Sequence, residues 1–220
     1  MPGNVRPIDP ARPDPDLIAR AARTLRTGGH IIFPTSGLYG LGADATCRDA
    51  VDRIYTLKSR TAAKPILILI PAARDLTRWV TAVPPTAEKI IAQYWPGGIT
   101  LIFNARPILP DTLTAGTGKI GIRVPAHPVA RALISAVDFP VTATSANPAG
   151  AAGCTAISAI APVIAAGVDL LLDAGPLAGG PGSTVIDVTV EPPLILRSGS
   201  LSVAPRFFCA PPDPAVDKNA

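Results

Sequence analysis

Apolar residues in this chain come in short runs separated by Pro, Gly and hydroxyl clusters, and the runs alternate between helical and strand character. Leu17, Ile18, Ala21, Ala22 and Leu25 recur at helical spacing behind Asp14-Pro15, a cap and first-turn pair, until Gly28-Gly29 stops the run. That spacing predicts an amphipathic helix. His30 to Phe33 (closed by Pro34), Pro65 to Ile70 and Ile99 to Phe103 are continuous apolar runs with the character of buried strands, and residues 48–58 and 85–94 between them read as helices. The alternation continues with strands over 119–124, 140–143 and 168–172, a helix opening at His127-Pro128 and another across 155–166. Strands 184–188 and 193–197 follow each other without a helix, which predicts a closing hairpin.

Strands alternating with helices define an α/β fold, a twisted mixed parallel and antiparallel sheet covered by helices. With 220 residues, 48% of them hydrophobic, the chain has material for one sizeable core and one domain. The expected organisation is an N-terminal extension over 1–14, the folded domain over 15–204 and a mobile Pro- and Ala-rich tail over 205–220. No repeat of fixed period is present.

The N-terminus lacks the apolar core of a secretory signal, and no apolar stretch approaches the ~20 residues that span a bilayer. Cys47, Cys154 and Cys209 are odd in number and far apart, which fits a reducing cytoplasm better than a disulfide framework or a zinc site. The net charge of +4 favours an anionic partner, but aromatic residues at 5% argue against a stacking surface for single-stranded nucleic acid.

No Gly-x-Ser-x-Gly, His-Glu-x-x-His, Gly-x-Gly-x-x-Gly or phosphate-loop signature is present. His30 at a strand start and His127 before a proline read as structural. The remaining polar residues gather at strand ends, where α/β folds place their ligands. Pro34 to Gly42 carries three glycines and small hydroxyls after a buried strand, and reads either as a ligand loop or as an ordinary strand-to-helix connection. Lys58, Arg60 and Lys64 put three cations within seven residues, suited either to a triphosphate or to a solvated helix end. Arg123 interrupts an apolar strand, so it needs a carboxylate or phosphate partner, a structural Asp being one candidate. Thr144 to Asn147, Gly179 to Thr184 and Arg197 add hydroxyls, glycines and a further cation at strand ends.

These segments resemble the YrdC-like threonylcarbamoyl-AMP synthases. The likeness lies in Phe33-Pro-Thr35, Tyr39-Gly-Leu-Gly42-Ala-Asp44, Lys58-Ser-Arg60, Trp95-Pro-Gly97 with Thr100, Arg123-Val-Pro-x-His127-Pro, Thr144-Ser-Ala-Asn147, Ser183-Thr-Val-x-Asp187 and Leu196-Arg197, in family order over about residues 15–200. The resemblance implies a positive groove that combines ATP, L-threonine and bicarbonate into threonylcarbamoyl-AMP and pyrophosphate, with Mg²⁺ accompanying the ATP. It also implies a downstream transferase that modifies tRNA, and affinity for tRNA or double-stranded RNA. By the same resemblance, Thr35, Arg123, Ala143 and Ser183 hold the amino acid. Lys58, Arg60, Lys64, Lys119, Ser145, Asn147, Gly153 and Arg197 face the nucleotide, Lys58 and Arg60 being the catalytic pair. Ser36, Leu69 and Gly182 depart from the family pattern, which points to a paralogue with another acceptor as a second reading; the net charge and the resemblance also leave open a double-stranded RNA-binding module without synthase activity.

Overall fold

The computed structural model describes residues 4–59 and 64–208. Its elements are β1 (Val5–Pro7), α1 (Pro15–Arg26), β2 (Ile31–Pro34), β3 (Tyr39–Gly42), α2 (Arg48–Leu57), β4 (Ile68–Leu69), α3 (Pro85–Tyr94), β5 (Ile99–Asn104), α4 (Asp111–Thr114), β6 (Lys119–Arg123), α5 (Pro128–Ser135), β7 (Val141–Thr142), β8 (Thr144–Ser145), α6 (Pro162–Ala166), β9 (Leu170–Asp173), β10 (Thr184–Asp187) and β11 (Leu194–Arg197). They form one α/β domain with two mixed sheets, ordered β1-β9-β2-β3-β8 and β11-β10-β5-β6-β4-β7.

Local chemistry accounts for the helix starts and for the faces that are buried. The Asp14 carboxylate accepts from the N–H groups of Asp16 (2.8 Å) and Leu17 (3.1 Å), satisfying two donors that the first turn of α1 leaves open. Ile18, Ala21, Ala22 and Leu25 of α1 then pack with Val129, Ala130, Leu133 and Ile134 of α5 over Ile31 and Phe33 of β2 and Leu170 and Leu172 of β9. Alternation sends Ile32 and Leu171 to the opposite face, into a larger core shared with α2, α3 and the second sheet. In that second sheet Leu101, Phe103, Ile120, Ile122 and Ile186 point into the shared core, which leaves Thr100, Ile102, Gly121, Arg123 and Val185 on the other face.

Several segments differ from their expected form. Val5–Pro7, expected in an extension, pairs in parallel with β9, and Ile8 behind it is buried, so the folded unit begins earlier than residue 15. Tyr39–Gly42, expected as connection, is a strand antiparallel to β2. Its glycines make room for an aromatic ring, since a Cβ at Gly42 would lie 2.7 Å from Phe33 Cε1. Of the strand expected at Pro65–Ile70, only Ile68–Leu69 is laddered. The helix expected across 155–166 is a 3-10 turn (Ile157–Ala159) and the short α6, because Pro162 lacks an N–H and starts a helix but cannot sit within one. At the tail, Pro205–Phe207 forms a 3-10 turn, and Phe207 is buried edge-on to Tyr94 with ring centroids 6.2 Å apart. The rest of the expected mobile tail lies outside the described residues.

The segment expected as one strand over 140–143 is split between the sheets. Val141–Thr142 pairs with β4 in one sheet, and Thr144–Ser145 pairs with β3 in the other. Thr142 fastens the crossing by donating its N–H to Ala43 O (2.9 Å) while its hydroxyl accepts from Ala43 N (2.9 Å). Both sheets are therefore in register with one five-residue stretch, and the space beside it is walled by both.

His30 is fully buried: its Nε2 donates to Ala50 O at 2.8 Å, while Nδ1 has no partner. Burial, aided by the charge of Arg53, lowers the His30 pKa against the opposing pull of the Ala50 bond and Asp169, and burial also lowers that of His127. Both rings are thus neutral in the fold, and the unfolded chain takes up protons first as pH falls through its ordinary value near 6.5. Stability is accordingly full above that value and declines below it. Urea midpoints measured between pH 7.5 and 5.5 are expected to fall toward acid, with a shallower fall in His30→Gln.

Candidate active site

A cavity of about 430 Å³ opens where the two sheets meet, walled by Thr35, Leu38, Tyr39 and Gly40 from one sheet and Thr100, Ile102, Gly121, Arg123 and Val185 from the other. Ala143, Thr144, Ser145 and Gly153 close one side, and Pro181, Gly182, Ser183 and Arg197 the other. Gly121 is its floor: a Cβ there would lie 3.2 Å from Thr100 Cγ2 and 3.3 Å from Leu67 Cβ. Glycine within a strand often marks such close approach, the signal by which Gly121 could have been found in the sequence. Thr100, a hydroxyl inside the apolar run of β5, carried a similar signal.

Arg123 gives the cavity its chemical character. It is 6% exposed, its Nε is buried without a hydrogen-bond partner, and it has no ion pair with any carboxylate among the described residues. Burial and the nearby charge of Arg197 push its pKa down to about 10, which leaves it protonated at neutral pH. Arg197 donates from Nε (3.2 Å) and Nη2 (2.8 Å) to Ser183 O, and Nη2 lies 3.2 Å from Ser183 Oγ. Ser183 Oγ in turn shares a 2.8 Å hydrogen bond with Thr100 Oγ1. Two guanidinium groups thus border one cavity, one anchored through a hydroxyl chain and the other with a buried N–H available. Like charges repel at such proximity, and an anion between them relieves both the repulsion and the open donor.

The turn leading into β3 is closed by Thr35, whose N–H (3.0 Å) and hydroxyl (2.6 Å) both donate to Leu38 O. Tyr39 is both core and wall. Its hydroxyl donates to Gly175 O (2.7 Å) and accepts from Ala174 N (2.9 Å), and burial raises its pKa to about 12.

Of the residues expected at the site, Thr35, Arg123, Ala143, Ser145, Gly153, Ser183 and Arg197 line the cavity. Lys58, Lys64, Lys119 and Asn147 are not among its walls, and Arg60 lies outside the described residues. Lys58 is 2% exposed, and its ammonium donates to the carbonyls of Ser145 and Asn147. Asn147 is buried and ties its loop by donating to Pro148 O (2.9 Å) and Ala151 O (2.7 Å). Lys64 is exposed beside the wall residue Pro65, so it stands at the rim. Lys119 lies on the same strand face as Gly121 and Arg123, roughly 13 Å from Arg123, and its Nζ is 3.0 Å from Asp187 Oδ2. The Asp that Arg123 was given as a possible partner is absent among the described residues, leaving an external anion as the other option.

Two of the departures from the family pattern fall away from the cavity. Ser36 is exposed and Leu69 is fully buried under α1 and α5, and neither is a wall residue; Gly182 is one. The walls contain no Asp, Glu, His or Cys, and no metal-binding cluster occurs among the described residues, so the cavity does not fit a resident Mg²⁺.

The cavity places two cations and several hydroxyls at a junction of sheets in an α/β protein. Residues 23–199 match the Sua5/YciO/YrdC family, described as "Telomere recombination", and the chain belongs to that family. It is 36% identical over 181 residues to the threonylcarbamoyl-AMP synthase of Pyrococcus abyssi, covering 82% of this chain and 53% of that protein. The chain thus spans about half the length of this relative. Among solved structures, P. abyssi Sua5 complexed with L-threonine superposes with a TM-score of 0.85 at 34% identity, over 90% of this chain and 58% of that one. Escherichia coli YciO superposes at 0.83 and 27% identity over 93% of this chain and 98% of that one.

Gly121→Val is expected to fill the floor of the cavity. Overpacking would cost about 1–3 kcal/mol, so the protein should still fold in a urea titration, with its midpoint lowered accordingly.

Proposed function

We propose that this chain is a threonylcarbamoyl-AMP synthase, condensing L-threonine, bicarbonate and ATP into threonylcarbamoyl-AMP, pyrophosphate and water. The observation that carries the proposal is the buried Arg123, lacking an acidic partner among the described residues, beside the Ser183-anchored Arg197 in one cavity. A carboxylate matches the planar donor fork of a guanidinium, and the threonine complex of P. abyssi Sua5 supports the choice of amino acid.

In this reading Arg123 binds the threonine carboxylate, and the Thr100–Ser183–Arg197 chain fixes the second cation. The amine attacks the carbon of bicarbonate or carbon dioxide, forming a carbamate with loss of water from bicarbonate. A carbamate oxygen then attacks the α-phosphorus of ATP as the bond to the pyrophosphate oxygen breaks. No protein nucleophile is needed, so the work of the chain is to position the reactants and offset charge. That fits a cavity whose walls, among the described residues, hold cations and hydroxyls but no histidine or thiol. Ser145 and Arg197, with Lys64 at the rim and Lys119 along the strand, are assigned to the nucleotide; Arg60 is assigned there by its place in the family motif. Mg²⁺ enters as the counter-ion carried by ATP. The product would pass to a transferase that modifies tRNA in the cytoplasm.

Pyrophosphate release from ATP is expected to require both threonine and bicarbonate. Arg123→Gln should lower kcat/KM for threonine roughly 10- to 100-fold, the loss typical of a hydrogen bond to a charged group. Release without threonine, or serine used as efficiently as threonine, would contradict the assignment.

A further inference from the structure

Lys58 sits in the segment that a sequence reading places against phosphate, yet its ammonium is turned to protein. We propose that Lys58 is a positioning residue: it acts on the nucleotide through the Ser145–Asn147 backbone that it holds, rather than as a phosphate ligand. The proposal deepens the synthase reading and rests on it for the identity of the nucleotide.

Four observations converge on this role. Lys58 is 2% exposed and is not a wall of the cavity, whereas Ser145, the residue it holds, is. Its Nζ donates to two carbonyls of the same loop, those of Ser145 and Asn147. The Lys58 carbonyl accepts from Ala149 N at 2.9 Å, so main chain and side chain of one residue clamp the loop at three points. Finally, the loop follows directly on the crossing between the sheets, where β8 has only two residues and pairs with β3 alone.

Ser145 is the last residue of this two-residue ladder, paired with Gly40 alone, so strand pairing by itself restrains it weakly. The Ser145 carbonyl accepts from both the Lys58 ammonium and, at 2.9 Å, Asn147 N. These bonds set the Ser145 peptide plane, and with it the position from which the Ser145 side chain meets the cavity. The Asn147 carbonyl precedes Pro148, which has no N–H, so a tertiary donor takes over part of the restraint that a regular turn would supply. An ammonium suits this task because it carries three donors on a flexible stem and forms charge-assisted bonds to carbonyls.

The two roles separate by phosphate count and by exchange. A phosphate ligand contributes more to ATP than to ADP, and more to ADP than to AMP; a loop holder affects all three alike. In Lys58→Met, binding of ATP, ADP and AMP measured by calorimetry should weaken by a common factor of about tenfold or more. Amide exchange at Asn147 and Ala149 in the ligand-free protein should quicken by a similar factor. Lys58→Gln, which keeps an N–H donor without the charge, should restore part of the exchange protection, and it serves as the test if Lys58→Met does not fold. Unchanged exchange at Asn147 and Ala149, or losses that grow with each phosphate, would overturn the proposal. If the wild-type protein bound no adenine nucleotide, the synthase reading would fail, while the exchange measurement would still decide whether Lys58 holds the loop.

Discussion

A buried positive charge with no carboxylate beside it among the described residues is the constraint on which this site depends. Arg123 occupies the sheet face that the rest of the strand leaves to a cavity, and Arg197 faces the same space. In a folded chain such a pair is costly, because Arg123 loses water and has the charge of the exposed Arg197 nearby. The hydroxyl chain through Ser183 and Thr100 satisfies Arg197, but the Arg123 Nε remains open. In the proposed function an anion entering the cavity offsets that cost, and P. abyssi Sua5 has been solved with L-threonine, whose carboxylate is such an anion.

The cavity exists because one short stretch serves two sheets. With Val141–Thr142 in one ladder and Thr144–Ser145 in the other, the walls approach each other at Ala143. Small residues keep the space open: Gly121 on the floor, and Gly153, where a Cβ would fall 2.6 Å from Leu38 Cδ1. The covered faces supply the stability. Apolar residues of α1, α5, β2 and β9 form one layer, and those of the second sheet, α2 and α3 form the other. Between these layers, Thr100, Arg123 and Ser183 bring the polar chemistry to the cavity.

Much of this was legible in the chain because it rests on local rules. The Asp14 cap, the helical period from Leu17 to Leu25, the buried strand at Ile99–Phe103 and the closing hairpin all follow from neighbouring residues, and the structure has each of them. Arg123 was also legible, since a charge inside an apolar strand demands a partner. Non-local features were not. β3 reads as a glycine loop because its glycines answer to the Phe33 ring packed over them, and the division of 141–145 depends on partners about 70 and about 100 residues away. The surroundings of Lys58 and Lys119 were not legible for the same reason. A cation in a motif looks available to a ligand until the fold brings it to the Ser145 and Asn147 carbonyls or to Asp187.

The central claim is that the open guanidinium of Arg123 awaits a carboxylate. Calorimetric titration with L-threonine and with L-threoninamide tests it directly, because the two differ only at that group. The account predicts that threonine binds and that the amide, which offers neither the charge nor the paired acceptor oxygens, binds at least about tenfold more weakly. Equal affinity for the two would contradict it.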